Sequence, residues 1–121
     1  MEDNRQEQIE ALEILVEFNE KIIHNLPILV KELSGERLDD TDAFLKNILD
    51  AMNWEISVMN GTLALLNEKE ERIDKEAFNN CIIAISDAYK AKNDAKLAEA
   101  IAAVQPYFEK LGTAARDVIN G

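Results

Sequence analysis

The sequence predicts an all-α fold, an antiparallel up-down-up-down four-helix bundle with bent first and fourth helices. Three observations carry that prediction. Apolar residues recur at steps of three and four instead of alternating. Only four glycines and two prolines punctuate the 121 residues. Polar connections divide the apolar pattern into four blocks, short enough that consecutive helices should pack antiparallel. The chain has the size of one domain, reads as a single helical-bundle domain over residues 1–121, and can bury a core without metals or disulfides.

The first block places Leu12, Leu15, Asn19, Ile22, Leu26, Leu29 and Leu33 on one seam. Ile9, Val16, Ile23 and Val30 widen it to a bundle-type face. Ser34-Gly35 ends the helix, glycine being the preferred residue just past a C-cap. The second helix opens around Asp39–Asp42, whose carboxylates suit a helix N-terminus. Its expected seam is Leu45, Leu49, Met52, Ile56, Met59, Leu63 and Leu66, flanked by Phe44, Ala51, Val58 and Leu65. The polar stretch Asn67–Arg72 reads as helix end and connection.

Asp74 caps the third helix in this reading, with Ile73 stapled on Phe78. Its inner face is Phe78, Cys81, Ile82, Ile85, Ala88 and Tyr89. Lys92-Asn93-Asp94 ends it, and Asp94 is the expected cap of the fourth helix. There Leu97, Ile101, Val104, Phe108, Leu111, Ala115 and Val118 form an unbroken seam. Pro27 and Pro106 fall in polar columns, and both seams keep register across them. Each proline should therefore bend its helix on the solvent side and not break it. The rival expectation is a break at Asn25-Leu26-Pro27, because a residue preceding proline avoids helical angles.

The formal charge is -11. It is concentrated in residues 1–72, with 17 acids and 7 bases, against 7 acids and 6 bases in the remainder. Such a field repels nucleic acid and anionic lipid and favours a basic protein surface. No apolar run reaches transmembrane length, and the first residues lack a signal-peptide pattern. A lone cysteine, Cys81, suits a reducing compartment. The expected location is cytoplasmic, with neither nucleic acid nor membrane as partner.

Candidate chemistry is sparse. Paired Glu-x-x-His metal sites need two histidines, and the chain has one. Glu20 and His24 could share at most one ion. Cys81 lacks a histidine partner and belongs to the core face. Asn19, on a seam otherwise held by leucine and isoleucine, must find hydrogen-bond partners when buried. Trp54 and Gly61 share a column, so the indole could cover the gap or Gly61 could admit a close neighbour. No catalytic residue, metal or cofactor is expected.

Two resemblances bear on function. His24 lies midway along an exposed column, Glu10, Glu17, His24, Lys31, and Leu26 follows two residues later. Histidine phosphotransfer domains, bundles of similar size, resemble this arrangement. Their pattern continues with lysine and glycine, where this chain has Pro27 and Ile28. Small acidic helical bundles of this kind also resemble export chaperones in size, charge and fold class. Ile14, Phe18, Ile28 and Trp54 lie off the main seams, and together they could form an apolar partner surface. The expected function is a non-enzymatic protein-binding bundle, chaperone-like or adaptor, offering an acidic surface to a basic amphipathic helix. The alternatives are phosphotransfer through His24 and a structural homodimer subunit.

Overall fold

The computed structural model describes the backbone of residues 2–121 and the side chains from Arg5 onward. It is an all-α four-helix bundle with helices α1 (Glu2–Leu33), α2 (Thr41–Leu66), α3 (Lys75–Lys90) and α4 (Asp94–Asn120). No strand occurs among the described residues. α1 and α4 form the central pair. α2 flanks α1, α3 flanks α4, and α2 also touches α4. Although consecutive in the chain, α2 and α3 do not approach each other closely. That side of the bundle is open.

The seams of α1 and α4 are buried as expected, except that Val118 near the end of α4 is only half-buried. Leu12, Leu15, Leu26, Leu29, Ile101, Val104, Phe108 and Leu111 are sealed from solvent. Phe78 of α3 meets Phe108 edge-on, with ring centroids 5.0 Å apart. Both prolines lie inside continuous helices and face solvent, which excludes the break at Pro27.

α2 departs from its expected seam. Leu45, Met52, Met59 and Leu66 are buried, but Ile48, Glu55 and Thr62 complete the stripe. Leu49, Ile56 and Leu63 are only half-buried. With no α3 beside it, α2 turns its inner face toward α1 and α4, which selects the column one residue earlier.

The helix ends add smaller corrections. Asp74 caps α3, its carboxylate accepting from Ala77 N–H at 3.0 Å. Asn93, not Asp94, caps α4 by accepting from Lys96 N–H at 3.1 Å. Asp94 instead accepts from Arg37, whose guanidinium also bonds Asp42. This ties the starts of α2 and α4 together. The Asp94 carboxyl is held below its ordinary range by that bond. Asp40 precedes α2 without a side-chain cap bond. The buried Thr41 does the local work, accepting from Leu38 N–H and donating to Glu32 Oε1 at 2.7 Å. Tyr89, placed on the inner face of α3 by its spacing, is 48% exposed and lines an open groove between α3 and α2. Cys81 packs against the core but is only half-buried, and desolvation pushes its thiol pKa up.

Candidate functional site

Three of the four off-seam apolar residues share one face between α1 and α2. Phe18 and Trp54 are in contact, with ring centroids 5.2 Å apart and planes tilted by 56°. Both remain substantially exposed, at 42% and 38%. Ile14 precedes Phe18 by one turn on the same face and is also exposed. Lys21 sets its ammonium 5.6 Å from the Phe18 ring centroid, a cation–π contact. Ile28 is exposed as well, but it lies ten residues beyond Phe18, roughly 15 Å along the helix, and past Lys21. It does not join the cluster.

The stripe runs into a hollow of about 260 Å³ lined by Glu7, Gln8, Ala11, Val58, Gly61 and Thr62. Gly61 borders open space there, since a Cβ at that position would meet nothing within 4 Å. The Trp54 indole does not cover the gap, since it is turned onto Phe18. On the solvent side Glu10 and Glu17 stand within one turn of Ile14 and are exposed. The result is a shallow apolar trough with an acidic wall on α1 and a mostly uncharged wall, including Ser57 and Asn60, on α2.

Beneath this stripe lies a polar contact sealed in the core. Asn19 and Glu55 are each 0% exposed, one residue along from Phe18 and Trp54 respectively. Asn19 Nδ2 donates to Glu55 Oε1 at 3.0 Å and to the Phe108 carbonyl at 2.9 Å. These bonds fix the orientation of the amide. Gly112 makes room for it, because a Cβ there would fall 2.3 Å from Asn19 Oδ1. The asparagine was legible as a buried group in need of partners. Glu55 was not, because a glutamate in an otherwise mixed column reads as solvated.

His24 is exposed on α1 beside Glu17, Glu20, Lys21 and Asn25. Glu20 accepts from Arg116 of α4 at 3.1 Å. The neighbouring carboxylates would repel a phosphoryl group approaching the imidazole. A second groove, of about 350 Å³, follows the open side between α2 and α3. Leu49, Met52, Ile82, Ile85 and Tyr89 supply its apolar lining. Among the described residues no three histidine, cysteine or acidic side chains are grouped to hold a metal ion. No described helix is long and apolar enough to cross a membrane.

A family model described as a domain of unknown function, DUF8042, matches residues 10–114. No curated protein and no solved structure matches the chain.

Proposed function

The chain belongs to the DUF8042 family, and since that membership names no activity, we propose from its own surface that it is a protein-binding helical bundle. The trough between α1 and α2 takes an amphipathic helix whose basic residues lie along the α1 side. The observation that supports this most is the exposed Phe18–Trp54 pair beside Glu10 and Glu17. Exposed large apolar groups gathered in one patch mark contact surfaces, and here the carboxylates of Glu10 and Glu17 outnumber the one cation, Lys21, set over Phe18. The apolar contact would supply most of the affinity, and the carboxylates would steer encounter and reject acidic competitors.

The test is binding of two synthetic amphipathic helices with the same apolar face, one flanked by lysine and one by glutamate. Peptide anisotropy should rise with the basic helix alone, and Phe18→Ala should weaken that complex. Equal binding of both peptides would count against the charge complementarity. Self-association through the same stripe is the competing reading, and it responds to salt in the opposite sense. Two acidic surfaces repel, so added salt would strengthen a homodimer and weaken the basic-peptide complex. Sedimentation at low and physiological salt separates them.

A further inference from the structure

Glu55 sits at the junction of three helices with little to support a charge. One carboxylate oxygen accepts a single neutral hydrogen bond, from Asn19. The other, Oε2, is sealed from solvent and no donor reaches it among the described residues. Asn19 cannot supply a second proton, because its two amide protons are committed to Glu55 Oε1 and the Phe108 carbonyl. An ionised carboxylate so placed loses its hydration without compensation, and the usual outcome is that the group takes up a proton instead.

Among the described residues the surroundings offer no unpaired counter-charge. From α1 the groups turned inward near Asn19 are Leu15 and Ile22, while Glu17 and Glu20 are exposed. From α4 the charged residue nearby is Arg116, whose Nη1 lies 3.5 Å from where a Gly112 Cβ would be, and it is held by Glu20. On α2 itself the residues one turn away are Ala51, Met52, Val58 and Met59, and Asp50 points to solvent. α3 supplies no inward charge: its charged residues Lys75, Glu76, Asp87 and Lys90 are all exposed.

We infer that Glu55 folds as a neutral carboxylic acid and that its proton acts as a latch holding α2 against α1 and α4. α2 is the helix such a latch would control: it rests on α1, touches α4 and has no close contact with α3. Loss of the proton leaves a charge that is relieved only by water entering the junction, so α2 loosens. Desolvation, opposed in part by the Asn19 bond, pushes the Glu55 carboxyl pKa up to about 7 from an ordinary 4.5. Between those two values the unfolded chain has lost the proton and the folded chain keeps it. Stability therefore falls as pH rises across that window and levels off above it.

The direct experiment is a carbon-detected NMR titration of the Glu55 carboxyl in the intact protein. A midpoint near neutrality is expected, and a midpoint at or below the ordinary glutamate value would overturn the inference. Denaturant unfolding of the wild type and Glu55→Gln then tests the latch. Relative to the variant, the wild-type folding constant should drop about tenfold per pH unit between the two pKa values. Parallel pH curves for the two proteins would equally overturn it. Trp54, the single tryptophan, is the neighbour of Glu55, and its emission should shift with the same midpoint. Should Glu55→Gln fail to fold, the carboxyl titration of the wild type decides the matter alone.

Discussion

Lys92 is the one non-glycine residue with a positive φ among the described residues, at 54°. It follows the C-cap of α3. There Lys92 N–H donates to the Tyr89 carbonyl and Asn93 N–H to the Ala88 carbonyl, the paired bonds of a Schellman ending. An L side chain in that conformation costs about 1–2 kcal/mol, and glycine removes the penalty. Lys92→Gly should therefore raise the unfolding free energy by about 1 kcal/mol, read from the denaturant midpoint at unchanged slope. Gly112 presents the opposite case. Alanine would favour the helix by up to about 1 kcal/mol, but its Cβ would fall 2.3 Å from Asn19 Oδ1. Asn19 can yield only by breaking the bonds to Glu55 and Phe108, so the clash wins. Gly112→Ala should destabilise by about 1–3 kcal/mol. Adding Asn19→Ala should recover part of that loss, a coupling a double-mutant cycle would reveal.

At the scale of helices, Phe108 is the pivot of the α3–α4 contact. It is fully buried, packs edge-on against Phe78, and lends its carbonyl to Asn19. Phe108→Ala should cost about 3–5 kcal/mol in urea unfolding. A loss below about 1 kcal/mol would mean that the α3–α4 core is not packed as described. The seams of α1 and α4 were legible in the sequence because each has one apolar column set bounded by charged ones. That of α2 was not: apolar periodicity selects Leu49, Ile56 and Leu63, whereas the structure buries Ile48, Glu55 and Thr62, one residue earlier and two of them polar. The choice is tertiary, made by α2 resting on α1 and not on α3. The exposure of Tyr89 has the same origin, since its expected burial presupposed a closed α2–α3 side. The cap of α4 fell one residue from its expected place because Asn93 and Asp94 are both competent caps, and Arg37 claims the aspartate.

For the whole molecule, surface chemistry is as uneven as the sequence implies. Apart from the buried Glu32, the acids from Glu7 to Asp40 face water, while α3 and α4 are nearly balanced in charge. Ile14, Phe18 and Trp54 were legible as a surface because they lie off the seams. Ile28 was not separable from them by composition alone; distance along α1 and the intervening Lys21 set it apart. If the trough between α1 and α2 is the working face, its affinity resides in the aromatic pair and its encounter rate in the carboxylates. The most direct measurement is stopped-flow anisotropy of a labelled basic amphipathic helix at low and at physiological salt, with wild type and Phe18→Ala. Higher salt, where the Debye length shrinks to about 8 Å, should slow association with little change in dissociation. Phe18→Ala should speed dissociation several-fold with association nearly unchanged. Binding that is indifferent to both Phe18→Ala and Trp54→Ala, or that the acidic helix matches, would contradict the proposed face.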